Sequence, residues 1–301
     1  MHTLINPALL AQLKDLPLVA KTVAQGFLHG MHASLQRGSG IEFSQYRAYE
    51  PGDPLNNIDW KLFARSDRYF VREAMRESNV QVWFVIDASA SMLHASQSKN
   101  AKKDSWHKLD YAKHLVATMS YLAQQQGDSI GMLGLSSNST HLLPARAGYQ
   151  HWQKCVLHLA QLDSGHEFPE FTHIQQQIAK VREHGLVIVL SDFYQQNNEI
   201  LNALNKLVSP RTDVIGMQLM SDDELTFPYK GRIHFEDRET KQRLTLSSKA
   251  AKQSYLQNVQ SFNQTLATKL QSLGVEHHLV NIDQPMDKTL RRFLKLRAKP
   301  L

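Results

Sequence analysis

Val80-Gln81-Val82-Trp83-Phe84-Val85-Ile86-Asp87-Ala88-Ser89-Ala90-Ser91-Met92 is the stretch whose reading decides the fold. From Val80 to Ile86 it is β-branched, aromatic and almost wholly apolar. Such a run suits a strand buried on both faces of a parallel sheet. It then breaks into Asp-x-Ser-x-Ser. Ligands of open α/β sheets bind just past the carboxyl ends of the strands. Asp87, Ser89 and Ser91 put three hard oxygens at that edge, the donor type that Mg²⁺ or Mn²⁺ takes. Taken alone, the motif also reads as a strand ending in a small polar turn.

Downstream the pattern is regular. Leu109 to Gln125 reads as a helix with Leu109, Ala112, Leu115, Val116, Met119 and Leu122 on one face, closed by Gly127. Further strands are predicted over Ile130–Leu135, Leu186–Leu190, Asp213–Met220 and Val275–Ile282. Further helices are predicted over Gln150–Leu162, Ile174–Arg182 and Glu199–Leu207, and from about Met286. Strands alternating with helices predict an α/β fold built on a doubly wound parallel sheet. A β-hairpin insertion is expected at about 228–248, before a long helix from Lys249 to Leu273.

Upstream, residues 7–30 read as one or two amphipathic helices broken near Pro17, and Arg37-Gly38-Ser39-Gly40 as a flexible turn. Ile41-Glu42-Phe43 and Tyr69–Glu73 look like strands. Between them lies a segment dense in charge, glycine, proline and aromatics, with Asp53, Asp59, Trp60 and Arg65. It reads either as a structural loop, with Trp60 as a plug and Arg65 paired to Asp59, or as a docking surface. The expected organisation is a helical and β extension over 1–78 and the α/β domain over 79–301.

Composition bounds the function. The 301 residues are 42% apolar, enough for a sizeable core, and the single Cys155 excludes an internal disulfide. Cys155 falls in a helix-like run and reads as a buried structural thiol. No apolar run is long enough to span a membrane, and Met1–Ala20 lacks the pattern of a secretory signal. A cytoplasmic protein is expected. The net charge of +6 is concentrated in Lys288, Arg291, Arg292, Lys295, Arg297 and Lys299. These read as the solvated face of a C-terminal helix, with no motif for specific nucleic-acid recognition. His277-His278 is a poor chelate, because strand neighbours point to opposite faces.

The third long strand ends in Ser191-Asp192. Central strands of a doubly wound sheet are neighbours, so Asp87 and Asp192 are expected close together. Two such carboxylates repel unless a cation lies between them. Glu170-Phe171-Thr172-His173 opens the preceding helix, where Thr172 reads as an N-cap or as a further oxygen donor.

Asp87-x-Ser89-x-Ser91, then Thr172, then Asp192 resembles the metal-ion-dependent adhesion site of von Willebrand factor type A domains, a Rossmann-type fold. The resemblance implies that Ser89 and Ser91 bind Mg²⁺ (or Mn²⁺) directly, and Thr172, Asp87 and Asp192 directly or through water. It also implies a protein partner that presents an Asp or Glu to the ion. Arg47-x-Tyr49-x-x-Gly52-Asp53, Ile58-Asp59-Trp60 and Ala64-Arg65 resemble the signature of the bacterial family known as domain of unknown function fifty-eight. That likeness implies an adaptor acting with a MoxR-type AAA+ ATPase in protein assembly or maturation. The chain departs from the family pattern at Asn56 and Asn57, where an arginine is usual, and at His173, where an acid is frequent.

The expectation is a non-enzymatic, metal-dependent protein-interaction module. The alternative is a Mg²⁺-dependent phosphatase-like hydrolase with Asp87 as nucleophile. Phosphatases of the haloacid dehalogenase type place an acid two residues on, where this chain has Ser89, which cannot serve as the acid and base.

Overall fold

The structure is a computed structural model. It describes residues 80–96, 107–137, 140–165, 167–181, 185–195, 198–236 and 243–291, together with strands at 46–48 and 70–72 and four single positions upstream. Apart from Ala20, which is helical and buried, the expected helices at 7–30 lie outside the described residues, as do the expected strand at Ile41–Phe43, the residues Asp53, Asp59 and Trp60, and the basic tail beyond Arg291. The chain forms two compact units, Gly26–Asn79, and Met1–Gln25 with Val80–Leu301.

In the smaller unit, β1 (Tyr46–Ala48) pairs antiparallel with β2 (Phe70–Arg72), Arg47 opposite Val71. The second of these falls within the expected strand at Tyr69–Glu73.

In the larger unit, β3 (Gln81–Asp87) is followed by a short 3₁₀ turn at Ala90–Leu93. α1 (Lys108–Gln125), β4 (Ser129–Leu135), β5 (Thr140–Arg146), α2 (Tyr149–Gln161) and α3 (Phe171–Val181) follow. Next come β6 (Gly185–Ser191), α4 (Glu199–Leu207), β7 (Thr212–Met220) and the short α5 (Asp222–Thr226). β8 (Arg232–Glu236) and β9 (Arg243–Ser247) form the expected hairpin, with Ile233 opposite Leu246. α6 (Ser248–Ser272) and β10 (Val275–Asn281) follow, and residues 287–291 are helical, within the helix expected from about Met286.

The six-stranded sheet has the order β10-β7-β6-β3-β4-β5. Every pairing is parallel except β4 with β5. β5 is the one strand of this sheet that the sequence pattern did not give. Pro144 interrupts its run and removes a ladder donor, which a sheet edge tolerates and an interior position does not.

β3 is wholly buried after Gln81, as its composition demands. Trp83 and Val85 join Val187, Val189 and Val214 in a core with Ile174 and Ile178 of α3, Leu204 and Leu207 of α4, and Leu270 of α6. Phe84 and Ile86 alternate with them and so face the other side, where α1 packs on β3 and β4. Gly131 lies opposite Trp83, and a Cβ there would stand 2.5 Å from the indole. Cys155 is buried, and burial pushes its thiol up to about 12, as suits a structural residue. Among the described residues no helix is long and apolar enough to cross a membrane.

Chain order and sheet order together place the topological switch between β3 and β6. From β3 the chain winds outward through β4 and β5. It then returns beside β3 as β6 and winds the other way through β7 and β10. Ligands of such sheets bind at the switch. Ile86 is level with Leu190, so the residues that follow each strand emerge together.

Candidate metal centre

Asp87 is the last residue of β3 and is 1% exposed. Its Oδ1 accepts the Ser89 backbone N–H at 2.9 Å, the local turn that an Asp before a small residue favours. Ser89 Oγ and Ser91 Oγ are 3.0 Å apart, and Ser91 Oγ donates to Asp192 Oδ1 at 3.1 Å. The loops of the two neighbouring strands thus meet through four side chains, Asp87, Ser89, Ser91 and Asp192.

The same loops hold the carboxylates from behind. Ser191 Oγ donates to Asp87 Oδ2 at 2.6 Å and accepts the Phe193 N–H at 2.8 Å. Phe193 has φ +62°, a conformation few non-glycine residues adopt. The turn continues to Gln195, whose Nε2 donates to Asp87 Oδ2 at 2.8 Å. Gln195 Oε1 is buried and has no hydrogen-bond partner among the described residues.

Lys108, the first residue of α1, is 1% exposed and reaches into this network. Its Nζ donates to Asp192 Oδ2 at 3.1 Å and to Glu224 Oε1 at 2.7 Å, and lies 5.2 Å from the Tyr194 ring centroid. Burial alone would lower the Lys108 pKa; the Asp192 and Glu224 carboxylates outweigh it and raise it. Among the described residues no cation pairs with Asp87. Burial, and then the Asp192 charge, push its carboxyl up to about 6 against the donors from Ser191 and Ser89.

Thr172 stands apart. It is exposed near the start of α3, and its hydroxyl donates to Glu170 Oε2 at 3.4 Å. No hydrogen bond among the described residues joins it to the four. The loop before it is anchored to the site, because the Gly165 N–H donates to Ala88 O at 2.7 Å.

The donor set suits a hard divalent cation. An octahedral ion with metal–oxygen distances of about 2.1 Å spaces neighbouring ligands about 3.0 Å apart. The Ser89–Ser91 and Ser91–Asp192 oxygen separations of 3.0 and 3.1 Å match that edge. Among the described residues no three His, Cys, Asp or Glu side chains converge on a metal position. Two carboxylates with two hydroxyls make a different set, one that favours Mg²⁺ or Mn²⁺ over softer ions.

Sequence reasoning missed Lys108, Gln195 and Glu224. One signal was available: Lys108 opens a helix, where the dipole disfavours a cation, and such a local conflict marks a residue held by something else. Ser221-x-x-Glu224 is also a readable capping box. Glu224 Oε2 accepts the Ser221 N–H at 2.8 Å, which leaves Oε1 for Lys108.

The mainly parallel sheet is doubly wound, with one antiparallel edge strand. The chain belongs to the family described as "Protein of unknown function DUF58", which it matches over residues 45–265. Uncharacterized protein Rv1480 from Mycobacterium tuberculosis is 26% identical over 238 residues, covering 78% of this chain and 72% of that one. Uncharacterized protein Mb1516 from Mycobacterium bovis matches to the same degree, 26% identical over 238 residues. Among solved structures, the conserved hypothetical protein BatB from Bacteroides thetaiotaomicron is 16% identical with a TM-score of 0.44, covering 73% of this chain and 100% of that one. A von Willebrand factor type A structure from Catenulispora acidiphila is 13% identical with a TM-score of 0.33, covering 50% of this chain and 34% of that one.

Proposed function

We propose that the β3/β6 edge is a docking site for a protein partner, which presents an Asp or Glu side chain to a Mg²⁺ (or Mn²⁺) ion. Asp87, Ser89, Ser91 and Asp192 would hold the ion, with Thr172 joining them from the start of α3. The bound ion supplies a hard, positive acceptor for the partner's carboxylate. The observation that carries this reading is the run of oxygens from Ser89 through Ser91 to Asp192 at octahedral-edge spacing. The raised pKa of Asp87 supports it, because a buried carboxylate facing a second one is what a divalent ion relieves.

The chain's own groups are arranged to hold position. Ser191 and Gln195 fix Asp87 Oδ2, and the Ser89 N–H fixes Oδ1. Donors on both oxygens hold Asp87 in one orientation, which supports the ligand reading over that of a free nucleophile in a phosphatase-like hydrolase. Membership of the family, with the resemblance of the upstream block, makes a MoxR-type AAA+ ATPase the proposed working partner, and an adaptor role in protein assembly or maturation the proposed task.

The test is affinity capture from a native lysate with the immobilised protein, in Mg²⁺ and in chelator, with Asp87→Ala alongside. A partner held in Mg²⁺ and lost both in chelator and on Asp87→Ala is the expected result. Retention in all three conditions contradicts metal-dependent docking. Recovery of a AAA+ ATPase in the Mg²⁺ sample supports the adaptor role.

A further inference from the structure

The geometry points to Lys108 as a built-in counter-cation of the ion site, one that positions Asp192 before any ion arrives and weakens the site's affinity for divalent cations. This rests on the reading of Asp87, Ser89, Ser91 and Asp192 as ion ligands and adds to it a residue that no ligand motif contains.

Lys108 is nearly inaccessible, so its charge needs partners within the fold. It has two, Asp192 Oδ2 at 3.1 Å and Glu224 Oε1 at 2.7 Å. Lys108 on Oδ2, with the Tyr194 N–H donating to Oδ1 at 3.3 Å, holds Asp192 with Oδ1 toward Ser91 and the ion position. Lys108 thereby preforms the ligand geometry without an ion. It also stabilises a buried carboxylate pair that would otherwise repel.

The second consequence follows from Coulomb's law. A fixed positive charge bonded to a ligand's second oxygen opposes a divalent ion on the first, in a site shielded from water. Glu224 moderates the opposition, since it shares the Lys108 charge. Removing Lys108 and neutralising Glu224 therefore act in opposite directions on ion affinity. A purely structural role for both would weaken binding in both cases.

The test is calorimetric titration of the folded full chain with Mg²⁺, paired with thermal melts without ion. Lys108→Met is expected to melt lower than wild type without ion, and to bind Mg²⁺ on the order of tenfold more tightly. Glu224→Gln keeps a capping-box side chain at the start of α5, so it is the variant that remains folded if Lys108→Met does not. It is expected to bind Mg²⁺ roughly tenfold more weakly. Lys108→Arg, which keeps the charge, is expected to stay near wild type. Tighter binding in Lys108→Met together with weaker binding in Glu224→Gln supports the inference; if Lys108→Met does not fold, weaker binding by Glu224→Gln with a wild-type melting temperature supports it. Unchanged affinity in Glu224→Gln, or unchanged or weaker affinity in folded Lys108→Met, overturns it while leaving the ion site standing. Absence of Mg²⁺ binding in every form overturns the ion site and the inference with it. Binding by Lys108→Met but not by wild type supports Lys108 as the resident cation and removes the metal-dependent reading of the native chain.

Discussion

Asp223 is buried completely, next in the chain to Glu224 and outside the proposed ion site. His94 Nε2 lies 3.2 Å from its Oδ2, and the Tyr229 hydroxyl donates to the same oxygen. Burial alone would raise its pKa. Hydrogen bonds with His94, Ser221 and Tyr229 overcome that and hold the carboxyl far below the usual carboxylate range. The unfolded chain therefore binds this proton at about pH 4, while the native state resists it to lower pH. The stabilisation is complete above that point and is lost as pH falls toward the native-state value. Asp223→Asn is expected to lower stability by about 2–3 kcal/mol at pH 7. Urea melts of both forms across pH should show the gap closing below about pH 4; a gap constant down to pH 3 would contradict this account. His94 directly follows the turn that carries Ser91, so the contact also ties the site loop to α5. At this scale the sequence made part of the candidate site legible. Asp87, Ser89 and Ser91 are neighbours in a motif, and Asp192 follows a recognisable strand. Lys108 and its partners lie 84 and 116 residues apart, and Gln195 lies 108 residues from Asp87. Pairings of that separation leave no local periodicity to read.

Elements were more legible than their pairings. β3, β6 and β7 announce themselves as apolar runs because both their faces are covered. α1 ends as expected, with Gly127 at φ +84° just past Gln126. β5 escaped because an edge strand with one open face and a proline carries a weak signal. The start of β6 depends on one residue. Gly185 has φ +143°, and a Cβ there would stand 2.1 Å from the Gln81 carbonyl oxygen of β3. That contact is with backbone and cannot be relieved by a side-chain rotation. Gly185→Ala is expected to destabilise the domain by about 2–4 kcal/mol, read from denaturant melts. Because β6 delivers Asp192 beside Asp87, the variant should also bind Mg²⁺ more weakly, whereas wild-type stability would show that the strands can separate there without loss.

Across the whole molecule, one topological fact organises the rest. The chain reverses its winding between β3 and β6, so two acidic strand ends and the loops of α1, α3 and α5 gather at one edge of the sheet. Alternating strands and helices made the class of fold readable, and the hairpin β8–β9 emerged where a polar turn separated two alternating runs. The upstream block around Trp60 lies outside the described residues, so its two readings stand as the sequence left them. An ion bound only by the folded edge stabilises the whole domain by mass action, about 2.7 kcal/mol at a hundred times its Kd. The most direct test of metal-dependent docking is calorimetric titration of the purified chain with Mg²⁺, run beside Asp87→Ala. Saturable binding near one ion per chain, abolished in a variant that remains folded, is the predicted result. Equal heats in both proteins, or none in either, would contradict the account.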